Sequence, residues 1–233
     1  MECDLYVLKS GTDLALSLAG ALDAAGAVVL NPYAVAAALR DKVITTRVLQ
    51  RAGVPVPETF VTARPSQLAP LLESGPLIVK PYRGSKGRGI HLVSDTDELD
   101  NVPVTDGPLF AQRYHKPSGT DRKIYCIGGQ LFGVLRRWPA RTYADKLGQP
   151  FTLDSQLRDI ALSCGRAFGI ELFGIDVIES DGRAYVVDAS SFPGFKGVPN
   201  VVLRLADYIL MAARRARGDE RPEAGRVAGE AVR

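Results

Sequence analysis

The sequence has few of the residues that mark disulfide frameworks, metal clusters or catalytic triads. Its three cysteines, Cys3, Cys126 and Cys164, are scattered and odd in number. This argues against a disulfide framework or a cysteine metal motif and predicts a reducing, cytoplasmic location. Cys164 falls on the apolar face of a predicted helix over residues 154–168 and is expected to be a core residue. With two histidines in the chain, no convincing nucleophile–base pair is present.

Two further absences limit the classes of partner. No apolar run approaches the length that spans a bilayer, and the first residues lack the basic start of a signal peptide, so no membrane is expected. The formal net charge is only +3, too small a surplus to argue for nucleic acid. The whole chain is 46% hydrophobic and 24% charged, the composition of a globular protein, and its length fits one large domain or two lobes.

The most informative stretch is residues 77–89, where a β-branched run delivers Lys80 to a glycine-rich basic loop. Its glycines let the backbone turn tightly and expose N–H groups. The spacing matches neither the Walker pattern nor the dinucleotide fingerprint, since a strand over residues 90–93 follows where a helix should open. The loop therefore predicts a flap over a polyphosphate, and a solvated hairpin is the alternative on this stretch alone.

A second signal is a predicted hairpin over residues 172–188, whose strands place Asp176 and Asp188 among apolar residues. Such carboxylates need a cation or hydrogen-bond donors. A three-residue turn closed by Ser180 and Ala184 would set the two aspartates opposite each other, and a two-residue turn would put them on opposite faces. Opposed carboxylates beside a phosphate site predict a magnesium site. Structural aspartates held by backbone N–H groups are the alternative.

Lys42 lies at the start of a further predicted helix, which Asp41 is expected to cap and Gly53 to end. Free N–H groups and the helix dipole favour an anion in such a first turn. A solvated surface lysine is the alternative for Lys42.

The remaining pattern alternates short strands and helices. Helices are predicted over residues 13–25, 66–72 and 200–214, strands over 5–8, 28–30, 60–62 and 109–115, and a hairpin over 121–137 around Gly128-Gly129. Residues 138–150 are predicted to be a loop, and residues from 215 onward a disordered tail.

Taken in order, these elements resemble the ATP-grasp superfamily over roughly residues 40–212, and most closely its RimK-type amino-acid ligase branch. The motifs that carry the resemblance are Asp41-Lys42, Val79-Lys80-Pro81 with the glycine loop, Gln112-Arg113-Tyr114 before Asp121-Arg122-Lys123, Phe173-Gly174-Ile175-Asp176, and Asp188-Ala189-Ser190-Ser191-Phe192-Pro193-Gly194. The last motif also resembles the inositol polyphosphate kinases of the same superfamily.

The resemblance implies an α+β fold class: an ATP-grasp fold in which two α/β lobes clasp ATP. The implied divisions are a shortened N-terminal pre-ATP-grasp βαβ segment (1–40), a lobe with the glycine-rich loop (41–111), a lobe with the metal site (112–214) and the tail (215–233).

The resemblance also implies a role for each candidate site residue. The ATP phosphates would be held by Lys42 and Lys80 under a loop containing Gly84, Ser85, Lys86, Gly87 and Gly89. Adenine would be gripped by Gln112, Arg113 and Tyr114, and ribose by Asp121. Magnesium, with manganese as an alternative, would be bound by Asp176, Asp188 and Ser190. Arg136 and Arg141 would lie near the γ-phosphate and the substrate's anionic group, with Lys80 and Arg136 as the catalytic pair.

Four departures from the family pattern stand out. Asp188 replaces the usual glutamate of the ligases, as in the kinases. Ser190 replaces an asparagine and has a shorter reach, which bears on whether one metal or two bind. Arg113 replaces an acidic residue, a change that a backbone grip on adenine would survive. About half of the usual N-terminal lobe is expected to be missing from this sequence, so either a homodimer or partner protein completes the substrate site or the true start lies upstream.

The implied activity is an ATP-dependent carboxylate–amine ligase that forms an amide through an acylphosphate and releases ADP and phosphate. Its substrates would be small-molecule or peptide carboxylates and amines. A small-molecule kinase of the inositol-phosphate-kinase type is the alternative, favoured by Asp188 and the Phe192-Pro193-Gly194 ending. A non-catalytic nucleotide-binding module is a third hypothesis, motivated by the short front segment and Ser190.

Overall fold

A computed structural model describes the chain over residues 3–84, 87–104, 107–118, 120–137 and 142–219. In these ranges the strands form three sheets, of two, four and five strands. Helices pack against one face of the four-stranded sheet and against both faces of the five-stranded sheet. The mixture of helix and sheet confirms the predicted α+β class.

The two-stranded sheet belongs to the N-terminal βαβ unit that the sequence predicts. Strands β1 (Tyr6–Val7) and β2 (Val29–Leu30) pair in parallel and are joined by α1 (Asp13–Ala24). The Thr12 side chain caps α1 by accepting a hydrogen bond from the Ala15 N–H, a common role for threonine before a helix.

Helix α2 (Tyr33–Arg40) follows β2 closely and is not predicted from the sequence. It is short, and Pro32 before it makes no side-chain cap, so the usual start signal is missing. Helix α3 (Lys42–Arg51) comes one residue later. The intervening Asp41 accepts hydrogen bonds from two N–H groups of its first turn, which confirms the predicted cap.

The four-stranded sheet carries the glycine-rich segment. Its strands are β3 (Thr59–Thr62), β4 (Leu77–Pro81), β5 (His91–Val93) and β6 (Leu109–Arg113). They are antiparallel, in the order β3-β6-β4-β5.

One face of this sheet is covered by a 3₁₀ helix (Pro65–Ser74), where a short helix is predicted, and by α4 (Thr96–Asp100), which is not predicted. Leu77 and Val79 of β4 are buried in that core. Because side chains alternate along a strand, Lys80 lies on the opposite face.

The five-stranded sheet is antiparallel throughout. Its strands are β7 (Thr120–Ile127), β8 (Gln130–Arg137), β9 (Gln149–Phe151), β10 (Leu172–Ser180) and β11 (Arg183–Ser190), in the order β11-β10-β7-β8-β9. The later helices are α5 (Tyr143–Leu147), α6 (Ser155–Phe168) and α7 (Val201–Arg217). Helix α7 continues three residues into the segment predicted as a tail, and residues 220–233 lie outside the described ranges.

The sequence predicts a loop over residues 138–150. This prediction is wrong at the positions of α5 and β9, which the structure forms there. Helix α5 begins with a capping box, in which the Thr142 and Asp145 side chains each accept a hydrogen bond from the other's backbone N–H. Pro150 interrupts the strand pattern, but β9 is an edge strand, where a missing N–H is tolerated. Residues 138–141 lie outside the described ranges.

Helix α6 provides the main packing surface of the five-stranded sheet. Its apolar face buries Leu157, Ile160 and Cys164 against the sheet, which confirms Cys164 as a core residue. Leu39 of α2 and Leu49 of α3 join the same core. These two helices therefore pack with the five-stranded sheet although the four-stranded sheet follows them in the chain.

Among the described residues, no helix has both the length and the apolar character needed to cross a bilayer.

Candidate active site

The turn between β10 and β11 has two residues. Ser180 pairs with Arg183, and Asp181 and Gly182 between them have φ of 49° and 73°. Positive φ at both central positions is what a type I′ two-residue hairpin turn requires, and Asp-Gly supplies it. Of the two turns that the sequence allows, the structure therefore has the two-residue one, and not the three-residue turn that would set the aspartates opposite each other.

A β-bulge nevertheless places the two aspartates opposite each other. Val177 pairs with Val186, but Asp176 pairs with Asp188, so Val187 is the extra residue on β11. A bulge of this kind shifts the register by one and re-aims the side chains that follow it. The two aspartates are therefore opposed as they would be with a three-residue turn, but the cause is the bulge at Val187.

The polar side chains occupy one face of the five-stranded sheet. Ile124 and Cys126 of β7 pack toward α6, so Asp121, Lys123 and Tyr125 face the other way. In the sheet register Lys123 lies directly beside Asp176. The row of neighbours across β11, β10 and β7 is thus Asp188, Asp176 and Lys123.

Each aspartate of the pair makes an ion pair with a lysine. Lys123 Nζ contacts Asp176 Oδ1, and Lys42 Nζ lies 3.1 Å from Asp188 Oδ1. Lys42 Nζ also donates to the Gly84 carbonyl at 3.2 Å. The first turn of α3 therefore links the aspartate pair to the glycine-rich segment.

Lys80 reaches the same place from the four-stranded sheet. Its side chain crosses to β11, where Nζ donates to the carbonyl of Val187, the bulge residue, at 3.0 Å. The residue is only 7% exposed. Burial lowers the pKa of Lys80 to about 8, and the nearby Asp188 carboxylate opposes that shift. A lysine held this way carries a weakly solvated charge, which suits a phosphate ligand.

The glycine-rich segment needs its glycines at two described positions. Gly87 and Gly89 have φ of 71° and 68°, a backbone region that other residues rarely adopt. Ser85 and Lys86, both predicted to contact phosphate, lie outside the described ranges, as does Arg141.

Arg136 and Asp121 pair across β7 and β8 on the same face of the sheet. Arg136 Nη2 donates to the Tyr125 hydroxyl at 2.6 Å and to the Lys196 carbonyl at 3.3 Å. Burial raises the pKa of Tyr125 to about 12. Burial also raises the pKa of Asp121, and the Asp176 carboxylate adds to that shift.

The three residues predicted to hold adenine lie at the end of β6 and just beyond it. Gln112 is buried, and its side-chain amide donates to Thr59. The Arg113 guanidinium donates to the Leu71 and Gly75 carbonyls, on the 3₁₀-helix side. The backbone N–H groups of Arg113 and Tyr114 already bond to carbonyls. If the backbone of these two residues binds adenine, it would therefore do so through its carbonyl oxygens.

Ser190 lies at the end of β11, opposite Gly174 and two residues from Asp188, and is exposed. Ser191, the next residue, is hydrogen-bonded to the N-terminal segment. The Asn31 side-chain amide donates to the Ser191 carbonyl at 2.7 Å and to the Leu172 carbonyl at 2.6 Å. Lys9 Nζ likewise donates to the Phe192 carbonyl at 2.8 Å.

Three residues of this site are not predicted from the sequence: Lys9, Asn31 and Lys123. Lys9 and Asn31 act across more than 140 residues of chain, which no local pattern reveals. Lys123 could have been found by strand alternation, since it follows Asp121 by two residues on one predicted strand.

The donor set can be compared with what a metal would need. In the described ranges no group of three or more His, Cys, Asp or Glu residues is arranged to hold a metal ion. Two facing carboxylates without a third fit a magnesium ion that completes its coordination with phosphate oxygens and water. Asp176 and Asp188 are the residues that would hold it, close to two phosphate-binding candidates, Lys42 and Lys80.

Residues 39–212 match the RimK-like ATP-grasp domain. The probable alpha-L-glutamate ligase of Parasynechococcus marenigrum is 26% identical over 190 residues, which cover 76% of this chain and 41% of that protein. The match thus spans less than half the length of that relative.

Two solved structures are similar in fold. The D-alanine–D-alanine ligase of Bacillus anthracis complexed with ATP has a TM-score of 0.71 at 20% identity, over 94% of this chain and 81% of that one. The ATP-grasp ligase PsnB, complexed with a phosphomimetic variant of its minimal precursor, Mg and ADP, has a TM-score of 0.68 at 19% identity, over 90% and 78% of the two chains. At these identities the similarity shows the fold alone.

Proposed function

Because this chain belongs to the RimK-like ATP-grasp family, we propose that it is an ATP-dependent carboxylate–amine ligase. A substrate carboxylate oxygen attacks the γ-phosphorus of ATP, and ADP leaves. The amine then attacks the carbonyl carbon of the acylphosphate, inorganic phosphate leaves, and an amide with one fewer amine proton remains. No side-chain nucleophile is required.

The observation that carries this proposal is the opposed pair Asp176 and Asp188, which faces Lys42 and Lys80 from two other elements. Phosphoryl transfer depends on positioning and on neutralising the charge of the transferred group. An arrangement of carboxylates for a metal, with lysines for phosphate oxygens around it, provides both.

In this proposal the described residues divide the work. Lys42 and Lys80 bind phosphate oxygens, and Arg136 stabilises charge that develops at the γ-phosphate. Magnesium, with manganese as a substitute, would be held by Asp176 and Asp188 and would neutralise phosphate charge. Gln112, Arg113 and Tyr114 with Asp121 remain the predicted contacts of the nucleoside, and Ser190 the predicted third ligand.

The substrates are proposed at the level of chemical class. Relatives are named for α-L-glutamate ligation, and PsnB has also been solved in complex with a precursor peptide. For this chain we propose a small-molecule or peptide carboxylate and an amine. A homodimer or a partner protein that completes the substrate site, and a cytoplasmic location, remain predictions.

The test is ADP release from a matrix of carboxylic acids and amines. If the protein is a ligase, ADP release requires one acid and one amine together. When a carboxylate oxygen of the acid is labelled with a heavy isotope, the label should appear in the released phosphate. A stable phosphorylated product formed without an amine would instead establish a kinase. Nucleotide binding without ADP formation across the matrix would establish a non-catalytic module.

Matched variants connect any activity to the site. Asp176→Asn should abolish ADP release, because an amide oxygen binds a divalent cation far more weakly than a carboxylate. Arg158→Met changes the charge of an exposed residue of α6, on the other side of the sheet, and serves as the control. Equal loss in both variants would contradict the assignment.

A further inference from the structure

The candidate metal carboxylates are each already paired with an ammonium group. Asp176 pairs with Lys123, and Asp188 with Lys42. All four side chains are partly withdrawn from solvent, with exposures of 32% and 19% in the first pair and 42% and 14% in the second. Attraction between such charges is stronger than between fully hydrated ones.

The two lysines are placed by different parts of the fold. Lys123 is fixed by sheet register, since it is the neighbour of Asp176 in the next strand. Lys42 approaches from the first turn of α3 and also donates to Gly84. A third ammonium, Lys80, ends one residue away from Asp188 at the Val187 carbonyl. A divalent cation arriving alone would therefore meet three ammonium groups around the two carboxylates.

Nucleotide phosphates change this balance. They offer the displaced ammonium groups new anionic partners at the same place, so the carboxylates become free to bind the metal. Each event then favours the other, and by linkage the coupling is reciprocal.

We propose that Lys123, together with Lys42, is a resident counter-ion that keeps Asp176 and Asp188 from binding a divalent cation until nucleotide phosphates are present. This inference rests on the proposed function, because it takes the aspartate pair to be the metal site. It assigns Lys123 a positioning role that acts through Asp176, and it makes binding of metal and nucleotide strongly cooperative.

The first measurement uses the wild-type protein and Mn²⁺, whose free ion is quantified by electron paramagnetic resonance. The dissociation constant of Mn²⁺ from the protein is measured alone and with saturating AMPPNP, a non-hydrolysable ATP analogue, after the Mn²⁺ that AMPPNP itself chelates has been subtracted by a protein-free titration. We expect AMPPNP to tighten Mn²⁺ binding by at least about tenfold, the scale of one strong charge interaction near a protein surface. Equal Mn²⁺ affinity in both conditions would overturn the proposal.

The second measurement removes the counter-ion. Lys123→Met should bind Mn²⁺ without nucleotide about tenfold tighter than the wild type, by the same charge argument, and should show a correspondingly smaller effect of AMPPNP. Lys42→Met should act in the same direction at Asp188, and Arg158→Met should match the wild type. Circular dichroism and thermal unfolding establish that each variant is folded.

The outcomes separate this inference from the proposed function. A wild-type protein that binds AMPPNP, with Mn²⁺ affinity unchanged in a folded Lys123→Met variant, refutes the counter-ion role and leaves the ligase proposal intact. A wild-type protein that binds no AMPPNP at any Mn²⁺ concentration refutes the proposed function itself.

Discussion

Replacing Lys80 with methionine tests whether a buried ammonium group is retained for function despite its effect on stability. Lys80 is 7% exposed, and burial lowers its pKa from 10.5 to about 8. One pKa unit corresponds to about 1.4 kcal/mol, so at neutral pH the charged form is disfavoured in the folded protein by about 3 kcal/mol.

Methionine has a similar length and no charge, so Lys80→Met removes that unfavourable term. It also removes the hydrogen bond to the Val187 carbonyl, which contributes about 1 kcal/mol. The variant should therefore be more stable than the wild type by about 2 kcal/mol, equivalent to a rise in Tm of about 4–8 °C for a protein of this size.

The pH dependence gives an independent check with a defined sign. The folded pKa, about 8, lies below the unfolded value of 10.5, so between these values the unfolded chain binds more protons. Stability contributed by this group therefore rises with pH across that window. The wild type should show the rise, and Lys80→Met should lack it.

The assay is thermal unfolding in EDTA without nucleotide, from pH 7 upward, with Lys116→Met as the control because Lys116 is exposed. AMPPNP binding measured alongside should be weakened at least about tenfold in Lys80→Met, since a charged phosphate contact is lost. A Lys80→Met protein that is less stable than the wild type, or that binds AMPPNP normally, would refute the reasoning.

Three further predictions concern single residues. Burial raises the pKa of Cys126 to about 11 and of Cys164 to about 12, whereas Cys3 is exposed; a thiol reagent at neutral pH should label only Cys3 rapidly, and fast labelling of three thiols in the native protein would contradict this packing. Asp176→Asn should keep the Tm within a few degrees while ADP release is lost, and a collapse of the fold would point to a structural aspartate. Ser190→Asn should retain or raise the rate of ADP release, because the amide reaches further; a large loss would show that the hydroxyl has its own role.

Local signals in the sequence predict much of this fold. Helix α6 has both an apolar stripe and Asp154 as its cap, and the structure has Asp154 accepting from Leu157 N–H. The β7–β8 hairpin follows from Gly128 and Gly129, whose φ values are 58° and 78°. These features depend on residues within one or two turns of each other, which a sequence displays directly.

The parts that are not predicted depend on contacts distant in the chain or on weak start signals. The bulge at Val187 shifts the β10–β11 register, and the acceptor it presents bonds a lysine 107 residues away. Helix α2 has no side-chain cap, and α5 has only five residues. Lys123 becomes part of the site only because β7 and β10 are neighbours.

The packing of α3 places the two candidate phosphate-binding lysines on different lobes, a larger lobe built on the five-stranded sheet and a smaller lobe built on the four-stranded sheet. Lys42 lies on α3, whose Leu49 is buried in the core that α6 forms with the five-stranded sheet. Just after α3, the Pro55 carbonyl accepts a hydrogen bond from Val186 N–H of β11. Lys80 belongs to the other sheet, as does the stem of the glycine-rich segment. A hinge motion that moved the smaller lobe away from the larger one would break the hydrogen bonds from Lys80 to Val187 and from Lys42 to Gly84. The ion pairs of Asp176 with Lys123 and of Asp188 with Lys42 lie within the larger lobe and would remain. A bound triphosphate would thus lose its contacts with the smaller lobe and keep those with the larger one.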